Sequence, residues 1–205
     1  MRERYDDLAV VCYINSTAEL KCASDVCVTS SNAVKIVKAL SNKNIFFIPD
    51  HNLGKFVAEQ VVEKNIILND GCCPIHTKIT AEQVAAQKAK HPNAKVLSHP
   101  ECDAEVLAVS DYIGSTADIL AFAKNDEMNE YIICTEDGVD YELRAENSGK
   151  RFYYPEPHPC CRDMKFNTLD AVLRVLQNEE NEVIVSDEVC RQALIPLEKM
   201  LELAK

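Results

Sequence analysis

The chain has 205 residues, 47% of them hydrophobic and 27% charged, and a formal net charge of −11. That hydrophobic content suffices for a packed core in one large domain or two small ones, and the negative charge argues against a nucleic-acid backbone or an anionic membrane as partner. No apolar run approaches a membrane span and the charged segment Met1–Asp7 has no signal-peptide pattern, so the ten cysteines are expected as thiols of a soluble cytoplasmic protein.

Short apolar strands alternate with amphipathic helical stretches. Leu8–Tyr13 reads as a strand, and Ser16-Thr17-Ala18-Glu19 has the spacing of a capping box opening a helix to about Ala23. Val26–Val28 is a second strand. Ser30-Ser31-Asn32 is expected to cap a helix with Val34, Val37 and Leu40 on its apolar face. Ile45–Ile48, a helix over Asn52–Val62, and a strand at Ile66–Leu68 follow, leading into Gly71-Cys72-Cys73-Pro74-Ile75-His76. Thr80-Ala81-Glu82-Gln83 starts a helix to about Lys90, and His91-Pro92-Asn93 breaks it.

The order then begins again. Val96 stands 86 positions after Val10, and at that offset Ser24-Asp25 falls on Ser110-Asp111, Ser30 on Thr116, Asp50 on Glu136 and Ile45–Phe47 on Tyr131–Ile133. The second copy then gains two residues, so that Cys72-Cys73 falls on Cys160-Cys161. The chain therefore divides into a repeat at 8–92, a repeat at 93–166 and a segment at 167–205. Alternating strands and helices imply parallel sheets covered on both faces, hence an α/β protein of two three-layer α/β/α domains. In the last segment Thr168 opens a helix to about Gln177, Glu182–Val185 reads as a short strand, and Ser186-Asp187 caps a final helix bent or restarted at Pro196.

Chemistry in such sheets gathers at the carboxyl ends of the strands. There the repeats carry Tyr13-Ile14-Asn15 and His99-Pro100-Glu101, Thr29-Ser30-Ser31 and Gly114-Ser115-Thr116, and the two cysteine corners. Ser30 and Thr116 suit helix N-caps, with a face left to donate to an anion. His99 and Glu101 suit an acid–base pair. Cys12, Cys22, Cys27, Cys134 and Cys190 read as small buried hydrophobes, and Cys102 fits either role. His51, His91 and His158 read as surface or turn residues. The Cys-Cys pairs are the metal candidates, one ligand from each, because adjacent side chains diverge. No C-x-x-C, Walker loop, G-x-G-x-x-G or G-x-S-x-G is present.

Tyr13-Ile14-Asn15-Ser16-Thr17-Ala18-Glu19, Thr29-Ser30-Ser31-Asn32-Ala33, Pro49-Asp50-His51-Asn52-Leu53, Cys73-Pro74-Ile75-His76, His99-Pro100-Glu101-Cys102, Asp111-Tyr112-Ile113-Gly114-Ser115-Thr116 and Met164-Lys165-Phe166-Asn167-Thr168-Leu169 resemble, in order and spacing, successive motifs of the quinolinate synthase family. The resemblance runs from about Val10 to the end of the chain. It implies three similar α/β/α domains around a pseudo-threefold axis, each giving one cysteine to a 4Fe–4S cluster whose fourth iron is open to substrate. It implies Cys73 and Cys161 as cluster ligands. Tyr13, Asn15, Ser30, His99, Glu101 and Thr116 fall on substrate-binding positions, with Tyr13, His76, His99 and Glu101 in catalytic roles. The implied substrates are iminoaspartate and dihydroxyacetone phosphate, with L-aspartate oxidase or dehydrogenase as supplier of iminoaspartate and neither nucleic acid nor membrane as partner. The family also carries a domain ahead of the position of Val10 that supplies the first cluster cysteine. The expectation is therefore a truncated, split or mis-started form of the last two thirds that binds the cluster poorly or not at all alone, with a C-terminal segment that covers either an edge of these domains or the absent domain. The rival reading is a non-enzymatic binding or redox module using the Cys-Cys pairs as a thiol switch.

Overall fold

The computed structural model describes all residues, Met1–Lys205. The first repeat runs β1 (Leu8–Tyr13), α1 (Ala18–Cys22), β2 (Val26–Val28), α2 (Ala33–Ala39), β3 (Asn44–Ile48), α3 (His51–Gln60) and β4 (Asn65–Leu68), with α4 (Ala81–Lys90) leading out of it. The second runs β5 (Lys95–Ser98), α5 (Ala104–Ala108), β6 (Tyr112–Ile113), α6 (Thr116–Asn125), β7 (Glu130–Cys134), α7 (Asp140–Glu146) and β8 (Arg151–Tyr153). Two helices close the chain, α8 (Leu169–Asn178) and α9 (Asp187–Leu203). Each repeat builds one four-stranded parallel sheet, in the order β2-β1-β3-β4 and β6-β5-β7-β8. The expected α/β class with repeated α/β/α domains is the observed one.

The hydrophobic runs follow from this topology. Every residue of β1 is buried, because a central parallel strand is covered on both faces. In β7 the two faces separate: Tyr131 and Ile133 join one apolar cluster, and Ile132 joins the other.

The duplication also shows in polar contacts. Asp25 Oδ2 accepts the Val10 N–H at 2.7 Å, and Asp111 Oδ2 accepts the Val96 N–H at 2.8 Å. Ser24 Oγ donates to Leu20 O at 2.8 Å, and Ser110 Oγ donates to Val106 O at 2.7 Å. The same side chains at the same offset thus lock the same helix–strand turn twice.

Several local expectations are corrected. The cap of α1 is Thr17, whose Oγ1 accepts the Leu20 N–H, and Ser16 instead meets Lys21 and Cys12. Asn32 precedes α2, but its Oδ1 accepts the Thr29 N–H, so α2 has no side-chain cap from Ser30 or Asn32. Ser115, not Thr116, caps α6 in a capping box with Asp118. Helix α9 runs through Pro196 without restarting. No strand forms at 182–185, where Val183 and Ile184 are 84% exposed and no neighbouring strand offers a ladder.

Helix α9 packs on the first repeat. Met200 enters that repeat's core with Leu197 and Leu203 against it, and Lys35 Nζ donates to Ala204 O at 2.7 Å. Helix α8 buries no residue: Leu169, Val172, Leu173, Val175 and Leu176 are all exposed.

Candidate active site

The carboxyl ends of the two sheets meet. Asn52, in the first turn of α3, donates through Nδ2 to Glu101 O at 3.1 Å and to Asp103 Oδ1 at 2.8 Å in the second repeat. His76, in a 3₁₀ turn after β4, reaches Thr135 Oγ1 at 3.0 Å through Nε2. All three bonds cross from one repeat to the other. They set the Cys73–His76 turn against the His99–Glu101 turn.

Between these turns lies a buried polar chain. His76 Nδ1 is 3.2 Å from Cys73 Sγ and 3.4 Å from Glu101 Oε2. His99 Nδ1 is 3.2 Å from the same Glu101 oxygen, and the two imidazoles stack with centroids 4.7 Å apart. His76, His99 and Glu101 are all buried. The Glu101 N–H also approaches His99 Nδ1, at 3.3 Å. A bare Nδ1 accepts that amide, whereas a protonated one donates to the carboxylate. The two contacts are therefore alternatives that differ by one proton.

Electrostatics sort the acids and bases. Burial opposes ionisation of Glu101, but a hydrogen bond and charge from His99, charge from His76 and a bond to Asp50 outweigh it and hold Glu101 below the ordinary carboxylate range. Asp50 goes the other way, pushed up to about 6 by burial and by Glu101, against the amides of Leu53 and Cys73. Burial, aided by His99, depresses His76 to about 4, so its ring is neutral at neutral pH. Burial lifts the Tyr13 phenol above its usual range, and Glu101 adds to that, while a hydrogen bond to Ser30 opposes it. Tyr13 therefore stays a protonated donor. Burial likewise raises the Cys73 thiol.

A cavity of about 300 Å³ opens onto this chain; Tyr13, Asn15, Asp50, Cys73 and Glu101 line it, with the exposed Cys72 also at its wall. Asn15 Nδ2 donates to Tyr13 OH at 3.1 Å. The β1–α1 turn that presents both is held by Lys21, a buried ammonium that donates to Ile14 O at 3.0 Å, Ser16 O at 2.7 Å and Ser16 Oγ at 3.0 Å.

Of the residues singled out in the sequence, Tyr13, Asn15, Cys73, His76, His99 and Glu101 come together here, with Ser30 beside the Tyr13 phenol. Thr116 is exposed at the start of α6, and Cys161 is half-buried in the loop after β8; no hydrogen bond or ion pair ties either side chain to the Cys73 group. In each vicinal pair the first cysteine, Cys72 or Cys160, is exposed and the second is partly buried. Cys102 is buried as a core residue, whereas Cys190 is exposed, against expectation. His51, at the start of α3, contacts Asn69 O through Nδ1 at 3.0 Å. Sequence reasoning missed Asp50 and Lys21. The acid shared at the 86-residue offset, Asp50 on Glu136, was the available signal for the former; nothing local marks Lys21 as buried.

Two donor groups could hold a metal: Cys73 with His76 and Glu101, and Glu136 with Asp137 and Cys160. In the second, the Lys165 ammonium already pairs with Glu136 and Asp137. The first keeps a soft sulfur donor facing the cavity. Cys161, in the matching loop, supplies another partly exposed free thiol. The soft Cys73 sulfur suits a thiophilic metal better than a hard cation.

Comparison with known proteins agrees with these motifs. The family model described as quinolinate synthetase A protein matches residues 1–202. Quinolinate synthase of Fusobacterium nucleatum is 52% identical over 204 residues, covering 100% of the chain and 68% of that protein. Quinolinate synthase of Clostridioides difficile is 46% identical over 205 residues, covering 100% of the chain and 67% of that protein. That of Caldicellulosiruptor bescii is 48% identical over 203 residues, covering 99% and 67%. The chain thus spans about two thirds of the length of these relatives. No helix is long and apolar enough to cross a membrane. The chain belongs to the quinolinate synthase family.

Proposed function

We propose, from membership of that family and from the buried His76–Glu101–His99 chain beside Cys73, that the chain carries the second and third lobes of a cytoplasmic quinolinate synthase. The substrates would be iminoaspartate and dihydroxyacetone phosphate. Their union to quinolinate releases inorganic phosphate and water, so protons must be taken from carbon and delivered to leaving oxygen. The observation that carries this reading is Glu101 Oε2, which lies within 3.4 Å of both His76 Nδ1 and His99 Nδ1 at the edge of a cavity.

Cys73 and Cys161 would hold a 4Fe–4S cluster, which when bound supplies an iron Lewis acid for a hydroxyl or carboxylate oxygen of the substrate. The remaining chemistry belongs to this chain's side chains. Glu101, kept ionised, takes a proton at Oε2, and His99 Nδ1 would relay it, being placed both to accept from the Glu101 amide when bare and to donate to the carboxylate when protonated. Neutral His76 fixes the Cys73 sulfur and the Glu101 carboxylate in one geometry. Tyr13, Asn15 and Ser30 offer neutral donors to substrate carboxylates, and Thr116 at the N-terminus of α6 suits the phosphate. Charge-assisted bonds of about 1.5–3 kcal/mol each outweigh a net charge that salt screens.

The relatives' additional length is a candidate cover for the exposed apolar face of α8. L-aspartate oxidase or dehydrogenase would supply the iminoaspartate. The test is anaerobic reconstitution with iron and sulfide, followed by assay of quinolinate, with and without the additional N-terminal segment of a relative supplied in trans. Product that disappears in Glu101→Gln supports the reading. A full complement of cluster with no product in either assay overturns it.

A further inference from the structure

The two cysteine loops differ in sequence, Gly71-Cys72-Cys73 against Pro159-Cys160-Cys161, and in length of approach. Yet their backbones are held by the same pair of hydrogen bonds, although Glu136 also pairs with the Lys165 ammonium, which has no counterpart at Asp50. Asp50 Oδ2 accepts the Cys73 backbone N–H at 2.9 Å, and Glu136 Oε1 accepts the Cys161 backbone N–H at 3.0 Å. The residue after each acid completes the tie: the His51 N–H donates to Gly71 O at 2.6 Å, and the Asp137 N–H donates to Pro159 O at 2.9 Å. In both repeats the acceptor carbonyl stands two residues before the held cysteine. The other carboxylate oxygen is anchored as well, Asp50 Oδ1 by the Leu53 N–H at 2.7 Å and Glu136 Oε2 by the Gly138 N–H at 2.7 Å. Each acid therefore sits rigidly between the helical turn after its strand and the cysteine loop.

The contact is close. A Cβ at Gly71 would come within 2.5 Å of Pro49 O, so only glycine lets the first loop lie against the end of β3. An Asp in one repeat and a Glu in the other reach the same amide. The hydrogen bonds are thus common to the two repeats although the residues are not.

We propose that Asp50 and Glu136 are positioning residues that choose, within each vicinal pair, which cysteine faces inward. Fixing the N–H of the second cysteine fixes the peptide plane that leads into it, and with φ confined to its allowed range this narrows the direction of its Cβ and biases the neighbouring side chain toward the opposite side of the loop. The observed exposure has this form in both pairs: Cys72 and Cys160 are exposed, and Cys73 and Cys161 are partly buried. The selection itself is metal-independent; its purpose, presenting one sulfur per loop to a shared cluster, rests on the reading proposed above.

The experiment is iodoacetamide labelling of the full chain without iron, with Cys73:Cys72 and Cys161:Cys160 labelling ratios read by mass spectrometry in the unaltered chain, Asp50→Asn and Glu136→Gln. An amide leaves one N–H facing an NH₂ group instead of an oxygen. Loss of a charged acceptor predicts local opening of the loop increased by at least about ten-fold, and a matching rise in the ratio for that loop alone. Glu136→Asp, which keeps the carboxylate, should recover part of the original ratio. If Asp50→Asn does not fold, the more exposed Glu136 position carries the test. Ratios that stay at the unaltered value in a folded variant overturn the proposal. A second arm adds iron and sulfide anaerobically and follows iron loss to a chelator, which should quicken in both variants. A chain that takes up no iron even with the additional segment of a relative supplied refutes the ligand reading of Cys73 and Cys161, while the labelling ratios still decide the role of the two acids.

Discussion

His76 Nε2 lies 3.0 Å from Thr135 Oγ1, and this buried contact joins the turn after the first sheet to the end of the central strand of the second. The ring it holds is the one that touches both Cys73 and Glu101. Thr135→Val keeps the shape and removes the hydroxyl, so a buried ring nitrogen loses its partner. The expected cost is about 1–3 kcal/mol in chemical denaturation, with Thr135→Ser close to the original. Any quinolinate-forming activity should fall along with it, because His76 would then be free to turn.

Glu101→Gln separates charge from shape. The amide still fits the buried site, but it cannot take a proton, and both imidazoles lose their carboxylate. Activity should drop by roughly 10²–10⁴-fold, with circular dichroism unchanged. Retention of activity would move the proton-transfer role to Asp50, which lines the same cavity.

The pH dependence of stability in the metal-free protein contains two opposing parts. His76 is depressed from 6.5 to about 4, so between those values the unfolded chain binds more protons and stability rises with pH. Asp50 is raised from 3.8 to about 6, so between those values the folded chain binds more protons and stability falls as pH rises. Each contributes on the order of 3 kcal/mol, and over their shared window they offset one another. Asp50→Asn should therefore expose a steep gain in stability from pH 4 to 6.5, and His76→Gln should expose a loss over pH 4 to 6. Denaturation midpoints across that range measure both.

Much of this architecture is legible in the amino-acid sequence. β1 and β2 have the bounds expected from their apolar runs, because parallel strands covered on both faces leave a continuous hydrophobic signature. The repeat is legible because turn-locking residues such as Asp25 and Asp111 are constrained by backbone partners rather than by packing alone. Caps are less legible: Thr17 and Ser115 displace their neighbours Ser16 and Thr116, since adjacent hydroxyls satisfy the same spacing and only the local turn decides between them. Lys21 is opaque for a different reason. A lysine in a short helix reads as solvated, and its burial depends on three oxygens that the β1–α1 turn gathers. Residues 182–185 have β-branched side chains suited to a strand, but a strand needs a neighbour to pair with.

Lys21 yields a prediction of its own. Lys21→Met keeps most of the buried stem and removes the ammonium, leaving Ile14 O and Ser16 O without that donor. Stability should fall by about 1–3 kcal/mol. Because Tyr13 and Asn15 ride on the same turn, KM should rise more than kcat falls in any active assembly.

Helix α8 presents the reverse case, an apolar face with nothing on it. Leu173 is 51% exposed and Leu176 is 76% exposed, whereas Leu53 is fully buried in the first core. Leu53→Ala should cost about 2–5 kcal/mol through the lost burial and the cavity it leaves. Leu173→Ala should lie within about 0.5 kcal/mol of the original, the range of a surface substitution. The difference becomes diagnostic when the chain is joined to the additional segment that its relatives possess. If that segment covers α8, the same Leu173→Ala change should then cost more than about 1 kcal/mol, because each buried methylene is worth about 0.8 kcal/mol. An unchanged, near-zero cost in the longer protein would mean that α8 faces solvent there too, and would remove the segment as its partner.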